Sequence, residues 1–250
     1  MVDLKYRCRY ELAMAALFVM LFHLCSSLSA QDSSGYTAQE ISEYAEDRYG
    51  PLLELISGEK YYYPYREALG NPFLYGEGSQ TATLQILGRT YENQRIRFDV
   101  YNQFVLLEYD DETGAARSII LEDQFLDQFE VNGALFKKCL NEQGSSQFGQ
   151  VIYEGDITCY YLWEKRYSVD TKVGELRYSF SDPTRISLLV IKDQIHSYKS
   201  RRSFLRNFQD KNQVQIKVYL KQKALRFRKI SDQEMGLLME YINQSYGNEN

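Results

Sequence analysis

Histidine is scarce in this chain. Two residues of 250 are histidine, His23 and His196. Histidine-rich metal centres are therefore excluded by count, and no HExxH segment is present. A Ser–His–Asp or Cys–His triad would have to be built on His196. That residue lies in an alternating segment beside Tyr198, a setting that suits a structural or surface role. There is no GxSxG elbow, no Walker loop and no GxGxxG after a strand pattern, which removes the usual nucleophile and phosphate-cradling sites. Proline is also sparse, with four residues, and Trp163 is the single tryptophan. Internal repeats and low-complexity tracts are missing.

Cysteine is nearly as rare. Cys8 and Cys25 fall in the N-terminal segment, leaving Cys139 and Cys159. No CxxC occurs, and two ligands do not make a zinc site. Two readings of the pair stand side by side. In an oxidising compartment they form a disulfide, worth roughly 3 kcal/mol in the chain-entropy model; otherwise they are two buried free thiols.

The N-terminal residues 1–30 have the three zones of a secretory leader. Lys5, Arg7 and Arg9 make the start basic, Leu12 to Leu24 is an apolar run, and Ser26-Ser27-Leu28-Ser29-Ala30 supplies small residues. The apolar run is shorter than the roughly 20 residues of a permanent bilayer helix. Cleavage is expected between Ala30 and Gln31, or one residue earlier. Phe22-His23-Leu24 lacks the small residue expected ahead of a lipidated Cys25. The expected location is therefore periplasmic or extracellular, with no transmembrane segment in the mature chain.

The chain carries a net charge of −5, which argues against nucleic acid as a bulk partner. Its basic residues gather late: Lys192 to Ile230 holds 12 Lys/Arg against 2 Asp/Glu. They are spaced along the segment, as on solvated helix faces that complement the acidic remainder. An anionic partner is the alternative reading.

Four regions follow the pattern of periodicity: the leader at 1–30, a helix and Tyr-rich connector at 31–79, a β region at 80–199, and a helical region at 200–250. Thr37–Arg48 reads as a helix closed by Gly50-Pro51, with a further turn at Leu52–Ile56. The connector holds Tyr61, Tyr62, Tyr63 and Tyr65, either an aromatic platform for a flat ligand such as a sugar or a lid on one end of a sheet. From Gln80 the period is two. Ile96, Phe98 and Val100 alternate with polar neighbours, and Asn132-Gly133 is a tight hairpin link. Ile157, Cys159, Tyr161 and Trp163 share a face. Asp110 to Gly114 is a solvated turn without the ligand spacing of a calcium loop. Lys211–Ala224 is expected to be helical even though Val214, Ile216, Val218 and Leu220 alternate like a strand. Ser231–Tyr246 is the strongest helix, with a Ser231/Glu234 capping box and an apolar stripe of Met235, Leu238, Met239 and Ile242. The predicted fold is α+β but mainly β: an antiparallel sheet curled into a barrel or half-barrel, with an N-terminal helix and C-terminal helices packed on it.

Gly70-Asn71-Pro72-Phe73, followed by Arg97-Phe98-Asp99-Val100-Tyr101, resembles the pattern of uncharacterised secreted proteins of the Bacteroidota, with Phe98 in place of a tyrosine. The Tyr153-Glu154-Gly155 turn and the lysine-rich helical tail are similar too. The resemblance implies export and this overall layout, and carries no activity. The leading expectation is a non-catalytic binding or interaction protein of the cell envelope, without cofactor or metal. Its partner would be an envelope protein or a small apolar or saccharide ligand. A periplasmic carrier of a lipid or other apolar ligand comes next. A carboxylate-based hydrolase ranks last, since acids are plentiful but no facing pair is legible.

Overall fold

The computed structural model describes residues 58–111, 113–171 and 176–247. The leader, the Ala30/Gln31 cleavage point, the Thr37–Arg48 helix and the turn at Leu52–Ile56 lie outside them. In chain order the described strands are β1 (Gly58–Lys60), β2 (Ala68–Leu69), β3 (Gln80–Ile86), β4 (Arg89–Asp99), β5 (Phe104–Asp110), β6 (Ala116–Leu121) and β7 (Leu126–Val131). They continue with β8 (Ala134–Leu140), β9 (Ser146–Tyr153), β10 (Ile157–Glu164), β11 (Tyr167–Asp170), β12 (Arg177–Phe180), β13 (Thr184–Ile191) and β14 (Gln194–Tyr198). Helices α1 (Arg201–Leu205), α2 (Asp210–Gln222) and α3 (Asp232–Gly247) follow, with a 3-10 turn at Phe227–Lys229.

Local chemistry explains most of the boundaries. Hairpin links sit at Leu87-Gly88, Asn132-Gly133 and Lys192-Asp193, each pair with both residues at positive φ, the twist that matches flanking strands. Between β5 and β6, Asp111 accepts hydrogen bonds from Thr113 N, Thr113 Oγ1 and Ala115 N, and from Arg117 Nε at 2.6 Å. The acidic turn is thus closed by its own donors. At the start of α3, Ser231 N donates to Glu234 Oε2 (2.8 Å) and Glu234 N to Ser231 Oγ (3.2 Å), the expected reciprocal cap. In α2 the helical period overrides the alternation. Ile216 and Leu220, four apart, are buried, while Val214 and Val218 face water.

Eleven strands form one antiparallel sheet in the order β1-β6-β5-β4-β3-β7-β8-β9-β10-β13-β14, and β11-β12-β2 form a second, smaller one. The expected barrel or half-barrel does not form. β1 and β14 remain separate edges, and the sheet is neither closed nor strongly curled. Closure needs two long free edges, whereas β1 has three residues and β14 passes directly into the capped helix α1 packed beside it.

One face carries the core. Leu84, Phe129, Phe136, Gln150, Tyr161, Ser187 and Tyr198 stand opposite one another from strand to strand, so they point to the same side. Toward β3–β9 this face is aromatic. Phe129 stacks on Phe136 at 4.8 Å, and Phe98 meets both edge-on at 5.3 and 5.4 Å. Toward β10–β14 it is covered by helices. Cys159, Tyr161 and Leu189 pack with Phe204 of α1, Ile216 of α2, and Met235, Leu238, Met239 and Ile242 of α3. Each such side chain contributes about 1.5–3 kcal/mol by burial, which explains why the amphipathic stripe docks. Gln150 sits at the seam, 8% exposed. Its Oε1 accepts from Trp163 Nε1 (2.9 Å) and its Nε2 donates to Asp232 Oδ2 (2.8 Å), tying α3 to the sheet.

Candidate functional site

The connector after β1 crosses the opposite face of β4–β6. Tyr61 N donates to Ser118 O (2.9 Å), and the Tyr61 ring meets Phe104 edge-on at 5.7 Å. Farther along, Gly70 adopts φ +75, and Phe73 N donates to Asn71 Oδ1 (3.0 Å) in an Asx turn. This turn drives Phe73 to 1% exposure beneath the Arg97 guanidinium, 4.6 Å from the ring centre. Phe73 bridges to Asp99, Leu74 N donates to Phe98 O (2.9 Å), and Val100 N donates to Pro72 O (3.0 Å). The two short motifs, Gly-Asn-Pro-Phe and Arg-Phe-Asp, are therefore a single packed unit. Arg97 is further held by Glu108 at 2.5 Å.

Asp99 is fully buried. Its Oδ1 accepts from Tyr101 N (3.0 Å) and Asn102 N (2.7 Å), and its Oδ2 from Asn102 Nδ2 (2.9 Å). Burial pushes its carboxyl above the ordinary range, and these donors hold it back. Asn102 in turn reaches the Tyr65 hydroxyl at 3.2 Å. Tyr65 is the hub of an aromatic group, with Phe180 at 4.9 Å, Tyr167 at 5.4 Å, Tyr63 at 5.8 Å and Tyr101 at 6.0 Å. Tyr167 also stacks on Tyr178, at 5.9 Å and 9° between planes.

These rings border an open cleft of about 630 Å³ between the connector and the small sheet, lined by Tyr62, Tyr63, Tyr65, Tyr167 and Tyr178, with Arg66 and Glu67 beside them. Tyr62 is 77% exposed. Burial raises the phenol of Tyr63, and partial desolvation that of Tyr167, so both hydroxyls keep their protons at neutral pH. The cleft offers flat apolar faces edged with neutral hydroxyls, one cation and one carboxylate. Both readings of the connector thus have a share: Tyr61 and Phe73 cover a sheet face, and Tyr62, Tyr63 and Tyr65 wall a cleft.

Of the two readings of the cysteine pair, the possible disulfide is the one corrected. Cys139 and Cys159 are free thiols. Cys139 alternates with Phe136 in β8 and so faces away from the core, beside Gly149. Cys159 shares a face with Tyr161 in β10 and lies under the helices, its Sγ 3.4 Å from Tyr198 Oη. The sheet separates them. Burial pushes the Cys139 thiol up to about 11 and the Cys159 thiol up to about 12. Trp163, which shares the face of Cys159 and Tyr161, is partly buried against the aromatic half, and His196 of β14 pairs with Leu189 of β13. Among the described residues no three His, Cys, Asp or Glu side chains gather to hold a metal ion, and no helix is long and apolar enough to cross a membrane.

The alternation of Leu176, Tyr178 and Phe180 predicts the strand that forms β12; sequence reading missed the burial of Asp99 and the fact that β12 belongs to a separate small sheet with Tyr167. Nothing local pointed to the parallel pairing of β12 with β2. Comparisons with protein-family models, curated proteins and solved structures returned no match for this chain.

Proposed function

We propose that the protein is a non-catalytic binding protein of the cell envelope, exported by its leader, whose tyrosine cleft takes a saccharide. The observation that carries this reading is the cleft itself: five tyrosines around about 630 Å³, two of which lie in parallel contact. Tyrosine combines a flat apolar body with a polar tip, which suits the C–H face of a sugar ring and the hydroxyls around it. The volume falls within the usual range for small-molecule sites. Glu67 is the one carboxylate in the lining, whereas glycoside hydrolysis takes two acids placed about 5–10 Å apart. This favours binding over turnover.

The test is titration calorimetry of the purified protein against a panel of oligosaccharides. Binding is expected for at least one, and Tyr62→Ala should weaken it at least fivefold without moving the melting temperature, because that ring is largely exposed. Absence of heat for every glycan, or a Tyr62→Ala variant that binds as wild type, would refute the assignment. N-terminal sequencing of the exported protein should begin at Gln31 or Ala30.

A further inference from the structure

A second cavity, of about 230 Å³, lies on the core side of the large sheet, between β10, β13 and β14 and the link that joins α2 to α3. Its floor is built from Tyr161, Ser187 and Tyr198, which are register neighbours across three strands. Phe227 and Arg228 of the 3-10 turn, with Met235 of α3, form the roof. Three lining side chains are cations, Arg185, Lys199 and Arg228, and no carboxylate is among the lining residues. The one acid nearby, Asp232, stands 3.5 Å from Arg185 and also receives Gln150.

Tyr161 makes this cavity unusual for a packed core. It is fully buried, the Arg185 guanidinium lies 4.0 Å over its ring, and its hydroxyl has no hydrogen-bond partner. A buried hydroxyl left unpaired costs free energy, and the residue could have been phenylalanine at no loss of packing. Burial also drives the phenols of Tyr161 and Tyr198 well above their ordinary values. Both therefore stay neutral and add no anion to the floor. Three guanidinium or ammonium groups over a neutral floor, with apolar roof residues, together describe the complement of an amphipathic anion.

We propose that this cavity is a second binding site, for a small organic anion: its carboxylate or phosphate head is met by Arg185, Lys199 and Arg228, and its short apolar body lies against Phe227 and Met235. The volume is below the ~300 Å³ at which drug-sized pockets begin, which limits the ligand to a head and a short chain. The site is separate from the tyrosine cleft and does not depend on the saccharide reading. It also assigns a task to part of the basic segment 192–230, which supplies Lys199 and Arg228.

Calorimetry on the full protein tests it with octyl phosphate, octanoate and, as the uncharged control, octanol. At least one anion should bind with sub-millimolar affinity, and octanol about tenfold or more weakly, the difference expected when charge-assisted hydrogen bonds are lost. Tyr161→Phe should leave the anion's affinity within about twofold and the melting temperature equal or higher, since it deletes an unpaired polar atom that a ligand in the cavity does not reach. Lys199→Ala/Arg228→Ala, two substitutions at the cavity's rim, should weaken it at least tenfold. No binding of either anion, equal binding of octanol, or wild-type affinity in the Lys199→Ala/Arg228→Ala variant would overturn the proposal. Binding confined to phosphatidylglycerol vesicles, with none of the soluble anions taken up, would also overturn it, because the occupant would then be a membrane surface. Glycan titrations should be unchanged in Lys199→Ala/Arg228→Ala, so that failure here and failure at the tyrosine cleft are told apart.

Discussion

Replacing Asp99 with alanine should destabilise the protein by about 3 kcal/mol. The carboxylate accepts three hydrogen bonds, from Tyr101 N, Asn102 N and Asn102 Nδ2. A buried donor left without an acceptor costs roughly 1–3 kcal/mol. Tyr101 and Asn102 are exposed residues, so water recovers part of the loss, which places the total near the lower end of the sum. Asp99→Asn keeps one oxygen for the two backbone donors, and Asn102 can turn its amide to satisfy the new NH2 group. About 1 kcal/mol is expected there. Equilibrium urea denaturation followed by Trp163 fluorescence gives both values, and the Ala variant should also weaken glycan binding because Asn102 and Tyr65 lose their anchor. An Ala variant within about 0.5 kcal/mol of wild type, or less stable than Asn by nothing measurable, would refute the reasoning. The pH dependence provides a further check. The native Asp99 carboxyl is raised above the unfolded value of 3.8, so the folded state holds more protons between the two values. Its contribution therefore favours folding in acid and is lost as the pH rises through the native value. Asp99→Asn should remove that component.

Two further outcomes are expected. A Cβ built on Gly149 would lie 2.6 Å from Cys139 Sγ and 3.0 Å from Leu162 Cδ2, so Gly149→Ala should cost about 1–2 kcal/mol by overpacking, and adding Cys139→Ala should recover most of it. A chain lacking residues 1–30 should hold two free thiols after unfolding in denaturant, counted by thiol titration. In the native state at pH 8, Cys159 should resist alkylation, since burial holds its proton up to about 12; loss of both thiols to a native disulfide would contradict the separation of the two faces.

Much of the backbone was legible from short-range pattern. The alternation of Ile96, Phe98 and Val100 marks a strand with one buried face, Asn132-Gly133 supplies the two positive φ angles of its hairpin, and Ser231 with Glu234 caps the last helix. Each of these depends on residues within a few positions of one another. The helix at 210–222 shows the limit. Val214, Ile216, Val218 and Leu220 suit either period, and docking of Ile216 and Leu220 beside α3 decided it. The tyrosine cleft was legible only by half. Four tyrosines in the connector announced an aromatic segment, but Tyr167 and Tyr178 arrive through a second sheet that pairs with β2 about a hundred residues earlier.

Periodicity, turn chemistry and charge distribution are properties of neighbouring residues, so the chain alone specified its strands, its caps and its basic late segment. Which strands lie side by side, that the sheet stays open, that Cys139 and Cys159 occupy opposite faces, and that Tyr161 meets Arg185 beneath a helical roof were settled by tertiary structure. Those outcomes depend on contacts between residues far apart in sequence, where total burial and the pairing of polar groups decide among arrangements that local preference leaves equivalent.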